Sequence, residues 1–302
     1  AMVTPGSETP GVGAGAVTGL ESPAGTHTAV TQVVFQDLVV ALHALDMDPR
    51  ENEALLERGE APVLPEAQDL RAPLWDLSAK NPDLVNETIN RFGFSLQGEV
   101  LYRGDAPLLT GVRLPDRMSF PGVTLTGDEK DFGMVLERGT DETFLVTRDR
   151  VLRAVPSPEG DRLLVYENRQ VIFSISIAPA SEGFVRGFWN WDGSWVLEVV
   201  DQADSGPVGS VFVNGEPLSD RLNAEEVFGW WLLDGKPFFF FRRDGLVQIS
   251  YAGQILEPAF ERVYPYDCCG ETAFAIRGDQ NMVWFYAQKD GRWYTVEARV
   301  YE

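Results

Sequence analysis

The stretch Phe238-Phe239-Phe240-Phe241-Arg242-Arg243-Asp244-Gly245 decides how this chain folds. Side chains on a β-strand alternate between the two faces, so two of the four phenylalanine rings must point each way. A strand that is apolar on both faces is typical of a sheet covered on both sides. The Asp-Gly that follows favours a tight hairpin, because such turns need positive φ and glycine adopts it without steric cost. The stretch therefore predicts a strand buried on both faces that ends in a hairpin.

An aromatic run followed by Asp-Gly occurs in two further places, Phe188–Trp195 and Val283–Tyr294. Turn centres recur along the chain at Gly104-Asp105, Arg148-Asp149, Asp192-Gly193, Asp244-Gly245 and Asp290-Gly291, with extra hairpins at Asn168-Arg169, Asn214-Gly215 and Asp234-Gly235. Units of roughly 40–50 residues that hold several strands are typical of propeller blades. We therefore expect a mainly β fold of repeated antiparallel hairpin units, a β-propeller of about five blades, over residues 94–302. An irregular meander, a sandwich or a barrel remains open, because hairpins are regularly spaced there too.

In its aromatic strands and Asp-Gly hairpins, the region from 184 to 302 resembles secreted bacterial β-propeller repeat proteins of the broad WD40-like and TolB-like kind. The chain has no clean Gly-His…Trp-Asp signature, and no functional residue carries over by motif. The resemblance implies a binding or scaffold role.

The chain before Phe94 has a different composition. Residues 1–27 consist largely of small residues, threonine and proline, which predicts a disordered linker. Because Ala1-Met2 looks like an engineered start, we expect this linker to be a tether that follows a removed export signal or lipid anchor, with an ordinary disordered terminus as the alternative. Residues 28–93 are predicted to be a small helical segment. Its helices would cover Thr28–Leu45, where β-branched residues leave a strand possible, then Asp48–Gly59, and finally a helix from Asn81-Pro82 to Gly93.

Charge and hydropathy exclude several classes of partner. The 302 residues include 46 acidic and 25 basic side chains, for a net charge of −21. This charge disfavours nucleic acid and anionic lipid, since both would repel it. No apolar run is long enough for a transmembrane segment. We expect an extracytoplasmic or cell-surface-tethered protein, with the cytoplasm as the alternative.

The residue types needed for most catalytic chemistry are scarce. The two histidines, His27 and His43, both precede the β region, so a triad there would depend on His43 reaching over. No spacing predicts a metal site, and no cofactor is expected. Carboxylates remain, and a glycoside hydrolase needs a pair of them at a defined separation. The candidates are Asp192, Asp267 and Glu271, although aspartate is also the preferred residue in a turn such as Asp192-Gly193.

The adjacent pair Cys268-Cys269 has three interpretations: a disulfide between neighbours in an exported protein, two buried thiols, or reactive thiols. An oxidised pair would form a rigid apolar ledge beside Tyr264 and Tyr266, which suits ligand binding.

Seven of the eight tryptophans follow residue 188. Exposed tryptophan and tyrosine bind sugars and peptides, so Trp189, Trp191 and Trp195 are candidate ligand-binding residues, whereas buried rings would simply fill the space between sheets. The sequence as a whole favours a non-catalytic binding protein with a glycan or protein ligand. A carboxylate-dependent glycoside hydrolase and a purely structural surface protein are the rival hypotheses.

Overall fold

The computed structural model describes residues 30–46, 48–49, 82–115, 123–124, 132–177, 185–203, 206–265, 276–278 and 282–300. These residues form a mainly β protein with antiparallel sheets and few helices. The described helices are α1 (Pro82–Asn90) and α2 (Leu218–Leu222).

The strands of the first half of the chain are β1 (Val30–Phe35), β2 (Leu38–Ala44), β3 (Phe94–Gln97), β4 (Val100–Arg103), β5 (Ala106–Thr110), β6 (Val123–Thr124), β7 (Gly133–Arg138), β8 (Glu142–Thr147), β9 (Val151–Pro156), β10 (Arg162–Glu167) and β11 (Gln170–Ser176). Those of the second half are β12 (Val185–Trp191), β13 (Ser194–Ala203), β14 (Gly206–Val213), β15 (Glu216–Pro217), β16 (Glu226–Leu233), β17 (Lys236–Arg243), β18 (Leu246–Tyr251), β19 (Gln254–Phe260), β20 (Arg262–Val263), β21 (Arg277–Gly278), β22 (Met282–Lys289) and β23 (Arg292–Val300).

The described strands form five sheets that follow one another along the chain. Sheet I is β3-β4-β5, sheet II is β6 to β11, sheet III is β12 to β15, and sheet IV is β16 to β19, each built from consecutive strands. Sheet V has the order β1-β2-β23-β22-β20, with β21 also paired to β22. It therefore joins a hairpin near the N-terminus to the C-terminal strands.

The hairpin turns lie where the sequence predicts them. Trp191 pairs with Ser194 across Asp192-Gly193, and Arg243 pairs with Leu246 across Asp244-Gly245. In both turns the two central residues have positive φ, for example 47° at Asp192 and 71° at Gly193. Positive φ at both positions gives the turn a twist that matches the flanking strands. The other predicted turn centres also connect adjacent antiparallel strands.

The four phenylalanines of β17 confirm the prediction of a strand buried on both faces. Phe238 and Phe240 pack in the core between sheets IV and V, whereas Phe239 and Phe241 pack in the core between sheets III and IV. The most exposed of the four rings retains 5% of its accessible surface. Sheet IV is thus the middle layer of a three-sheet stack.

Each pair of successive sheets shares an apolar core. Phe94 of sheet I packs with Met134 of sheet II, and Leu145 of sheet II packs with Phe188 of sheet III. The residues that join sheets III and IV include Trp189, Val196, Trp230 and Phe241, and those that join sheets IV and V include Leu38, Val40, Phe240 and Phe285. Burial of these side chains is the main favourable contribution to the stacking.

The predicted helix over Thr28–Leu45 is wrong for residues 30–44. They form the β1–β2 hairpin, and β2 pairs with β23 from Leu38↔Val300 to Ala44↔Tyr294. A strand buried on both faces is apolar at successive positions, so apolar residues also fall at three- and four-residue steps and imitate a helical face. The predicted third helix is confirmed as α1, which ends before Gly93 at φ +79°. Residues 1–27 and the predicted helix over Asp48–Gly59 lie outside the described residues, except for Asp48 and Pro49.

The strand order shows which Asp-Gly hairpins occupy equivalent positions in their sheets. Asp192-Gly193 connects the first two strands of sheet III, and the turn in the same position of sheet IV is Asp234-Gly235. Asp244-Gly245 connects the second and third strands of sheet IV. The recurrence of Asp-Gly therefore indicates that a tight hairpin connects two strands. It does not indicate which strands of the sheet that hairpin connects.

Candidate functional site

A small cavity with a partly polar lining lies where sheets III, IV and V meet. It is lined by Arg186, Glu198, Gly229, Trp230, Trp231, Pro265 and Ile276. The cavity offers about 10 Å³ to a water-sized molecule, which is about the room that one water needs. A sugar ring does not fit into this space.

Glu198 provides the negative charge of this site. Its side chain is 1% exposed, and it belongs to β13, where its neighbours Leu197 and Val199 pack toward sheet II. The Gly229 N–H donates to its Oε1 at 2.6 Å, and the Trp230 N–H donates to its Oε2 at 3.1 Å. Hydrogen bonds to a carboxylate are stronger than those between neutral groups, and they offset the cost of burying the charge. Glu198 thus fastens sheet III to the backbone of sheet IV.

The two N–H groups are available because β16 contains a bulge. Phe228 pairs with Phe240 and Trp231 pairs with Phe238, so Gly229 and Trp230 together lie opposite a single residue of β17. A bulge removes residues from the regular ladder and frees their N–H groups for other acceptors. Glycine is required at 229 on two counts. Its φ is +62°, and a Cβ there would lie 2.8 Å from Cδ2 of Phe240.

A second bulge brings Arg186 to the same cavity. Val185 pairs with Val199 and Gly187 pairs with Glu198, which leaves Arg186 as the extra residue of β12. The ring of Trp189 covers Gly187 so closely that a Cβ at 187 would lie 1.7 Å from its Cη2 atom. The cavity is thus shaped by bulges in the first strands of two successive sheets.

Other polar side chains also bridge neighbouring sheets. Asn190, which is buried on β12, donates from Nδ2 to the Phe132 carbonyl beside sheet II at 3.0 Å. Glu226 of sheet IV accepts from the Gly209 N–H of sheet III at 3.0 Å. These contacts and those of Glu198 satisfy backbone groups between sheets, which is a structural use of polar side chains.

A third bridge anchors the N-terminal hairpin. Asp37, in the β1–β2 turn, forms an ion pair with Lys236 of sheet IV and accepts from the Tyr251 hydroxyl at 3.2 Å. Burial raises the pKa of Asp37, but the Lys236 ammonium and the other hydrogen bonds lower it by more, so the pKa lies below its ordinary value of 3.8. Burial, followed by the Asp37 charge, raises the pKa of Tyr251. Asp37 is therefore ionised at neutral pH and holds the hairpin to sheet IV.

The three tryptophans predicted as ligand-binding residues do not share an exposed face. Trp189 is 1% exposed and packs between sheets III and IV, whereas Trp195 is 4% exposed and packs between sheets II and III. Trp191 is half-buried, edge-on to Trp230 at 5.9 Å between ring centroids. Of the four later tryptophans, Trp230, Trp231 and Trp293 are buried and Trp284 is half-buried. The seven rings fill the interior, as expected for the packing interpretation.

Two of the other sequence candidates, Asp192 and Tyr264, lie in the described part of the chain. Asp192 lies in an exposed hairpin turn. Tyr264 is buried, stacks on Trp293 with centroids 4.8 Å apart, and donates its hydroxyl to Asp48 at 3.0 Å. Five candidates lie outside the described residues, namely Tyr266, Asp267, Cys268, Cys269 and Glu271. Pro265 and Ile276, on either side of them in the chain, line the Glu198 cavity.

His43 lies on β2, opposite Thr295 of β23, and is buried. Burial lowers its pKa from the ordinary value of 6.5. The side chain is thus neutral at neutral pH.

Sequence inspection missed Glu198, Asn190 and Asp37. Glu198 carries a detectable signal, since it is the single charge within the apolar run Trp195–Val200. A lone carboxylate in a strand buried on both faces must find donors, so it marks an internal bridge. The partners of all three lie in or beside other sheets, and no local sequence pattern predicts them.

In the described ranges no group of three or more histidine, cysteine, aspartate or glutamate side chains is arranged to hold a metal ion. Among the described helices, none has the length and apolar character needed to cross a membrane. No model of a known protein family matches the chain, and a search of curated proteins finds no relative. By its fold, the described part of the chain is a mainly β protein of stacked antiparallel sheets.

Proposed function

We propose that the five sheets form a closed ring of the propeller type. The pairing of β2 with β23 supports this proposal, because it joins the two ends of the described chain within one sheet. The successive apolar cores from sheet I to sheet V support it as well. Radial repetition of this kind leaves only short sheet edges open.

We further propose that this scaffold is a non-catalytic binding protein whose ligand is another protein. One observation carries the proposal: buried aromatic rings and a buried carboxylate, the side-chain types that a sugar site uses, make contacts between sheets instead. Trp189 and Trp195 fill two different cores, and both oxygens of Glu198 accept backbone N–H groups. The surfaces proposed to recognise the ligand are therefore exposed strand edges and turns. A location outside the cytoplasm is proposed on the composition of residues 1–27 alone.

The experiment compares protein and sugar ligands directly. The full chain is tested on a glycan array, with a panel of chromogenic aryl glycosides, and in a selection of displayed peptides against folded and heat-unfolded protein. We expect peptides that bind only the folded protein, no saturable glycan binding and no hydrolysis. Hydrolysis that Asp192→Asn abolishes and Glu159→Gln leaves intact would overturn the proposal in favour of the glycoside hydrolase. Saturable glycan binding would overturn the choice of a protein ligand.

A further inference from the structure

Most outer edges of the described sheets carry a feature that blocks strand addition. In β11 the register with β10 shifts at Ile172, which produces a bulge. The edge strand β19 contains Glu257 and Pro258, β5 contains Pro107, and β15 is two residues long. Bulges, prolines, charges and short edges all prevent another strand from pairing there.

The edge strand β1 has none of these features. Its sequence, Val-Thr-Gln-Val-Val-Phe, contains no charge, proline or glycine. Its register with β2 is regular from Val30↔His43 to Phe35↔Leu38, and the side chain of Val34 is 56% exposed. Among the described strands β1 pairs with β2 alone. Six uncharged residues of high β propensity on an open edge form a template for another strand.

The hairpin register identifies the backbone groups that point outward. A two-residue turn is closed by a hydrogen-bonded pair, which here is Phe35 and Leu38. Hydrogen-bonded and non-hydrogen-bonded pairs alternate along an antiparallel ladder, so Phe35, Val33 and Thr31 bond to β2. The N–H and C=O groups of Val34, Gln32 and Val30 therefore point away from the sheet.

Carboxylates lie near both ends of this edge. At the turn end, the single Lys236 ammonium serves both Asp37 and Asp234, its distance to the Asp234 carboxylate being 3.8 Å. At the other end β2 runs on into the exposed Asp46. The chain as a whole carries a charge of −21. This distribution attracts a cationic partner and repels a second copy of the chain.

We propose that the open edge of β1 binds an extended segment of a partner protein by strand addition, and that this segment carries lysine or arginine at its ends. The proposal rests on the proposed function, since it names the site and the chemistry of the protein ligand. Main-chain hydrogen bonds to Val34, Gln32 and Val30 would supply affinity, and the flanking carboxylates would select basic ends. An added strand of six residues spans about 20 Å.

The test measures fluorescence anisotropy of a labelled peptide, Lys-Val-Thr-Val-Thr-Val-Thr-Lys with blocked ends, against the full chain. Val34→Lys places a charge on the edge at an exposed position and leaves the β2 ladder intact. Gln32→Pro removes one outward N–H. The matched control is Val171→Lys, at a valine that is 44% exposed on the edge strand β11. We expect both β1 variants to weaken binding by about ten-fold or more, and the control by less than about two-fold. A peptide with glutamate at both ends should bind more weakly than the lysine form, and added salt should reduce the difference.

Several outcomes would overturn the proposal. One is the absence of saturable binding up to about 1 mM peptide. A second is an equal loss of peptide affinity in Val34→Lys and Val171→Lys. A third is unchanged peptide affinity in both β1 variants when their circular dichroism is native. Sedimentation that shows a dimer dissolved by Val34→Lys would assign the edge to a second copy and also overturn it. If selected peptides bind the folded protein but ignore Val34→Lys, the inference fails and the proposed function stands. Saturable glycan binding without any peptide binding defeats the proposed function itself.

Discussion

Glu198 is a buried carboxylate in an apolar strand, and its two oxygens accept the N–H groups of Gly229 and Trp230. A charge in such a place is tolerated only when hydrogen bonds replace those it would make to water. The pairing works in both directions, because the bulge of β16 leaves two N–H groups that also need acceptors. The residue and the bulge therefore depend on each other.

Removing this carboxylate should destabilise the protein strongly. Glu198→Ala leaves two buried N–H groups without acceptors and is expected to lower the free energy of unfolding by roughly 2–5 kcal/mol. Glu198→Gln retains one acceptor but turns an amide donor toward the other N–H, so an intermediate loss is expected. Urea unfolding followed by tryptophan fluorescence measures both, with the exposed Glu159→Gln as control. A loss below about 0.5 kcal/mol for Glu198→Ala would contradict the bridging role.

His43 should make stability depend on pH. Its folded pKa lies below 6.5 because the side chain is buried, so the unfolded chain binds the proton more tightly than the folded chain does. The contribution is therefore fully present above pH 6.5 and is lost as the pH falls from there through the folded pKa. Urea unfolding at pH 7.5 and pH 5.5 should show a larger loss for wild type than for His43→Gln. Equal losses in these two proteins would contradict this assignment. So would a control, His27→Gln, that reduces the loss as much as His43→Gln does.

At the scale of elements, the first strands β12 and β16 carry bulges where their sheets meet the Glu198 cavity. Bulges redirect side chains and end regular pairing. The result is that Phe228 and Trp231, which are three positions apart, both reach the core between sheets IV and V. Regular alternation would place residues three positions apart on opposite faces.

A pair of glycine substitutions distinguishes the packing requirement of the β16 bulge from the backbone requirement of an ordinary turn. Gly229→Ala meets both a positive φ and a Cβ contact of 2.8 Å, whereas Gly193→Ala meets only a positive φ of 71° in open space. We expect Gly193→Ala to cost about 1 kcal/mol, and Gly229→Ala to cost roughly 1–3 kcal/mol more because the core must shift. Thermal or urea unfolding measures the difference. Equal costs would show that packing around Gly229 adds nothing.

For the whole molecule, the described ends of the chain meet in sheet V, where β2 contributes Leu38, Val40 and Leu42 to the core shared with sheet IV. Among the described residues, the hairpin is distant in sequence from the strands of sheets IV and V that it contacts. A covalent bond between residues so far apart in sequence strongly reduces the conformational entropy of the unfolded chain.

A disulfide across this closure should therefore stabilise the protein. In a background with Cys268 and Cys269 replaced by serine, Val40→Cys with Ala298→Cys joins directly paired residues of β2 and β23. The oxidised form should gain about 3–5 kcal/mol over the reduced form. The control, Val33→Cys with Val40→Cys, closes only the short hairpin and should gain clearly less. Comparable gains, or failure of the long-range pair to oxidise in the folded protein, would contradict the closure.

Much of the architecture could be predicted because it depends on local rules. Asp244-Gly245 specifies a turn through its backbone preferences, and Phe238 to Phe241 specify a doubly buried strand through alternation. The β1–β2 hairpin could not be recognised in the same way, since its turn, Gln36-Asp37, lacks glycine and its strands imitate a helical period. The lone charge of Glu198 indicates an internal bridge, but its donors could not be predicted, because they are backbone groups of a bulge in another sheet.

Local preferences of neighbouring residues were enough to predict the Asp-Gly turns and the doubly buried strand Phe238 to Phe241. The packing of distant segments sets the rest: residues 30–44 complete the C-terminal sheet, Asp192 corresponds to Asp234, and Glu198 binds the N–H groups of a bulge. Those outcomes depend on which distant surfaces exclude water together, and such pairings leave no pattern in any one stretch of chain.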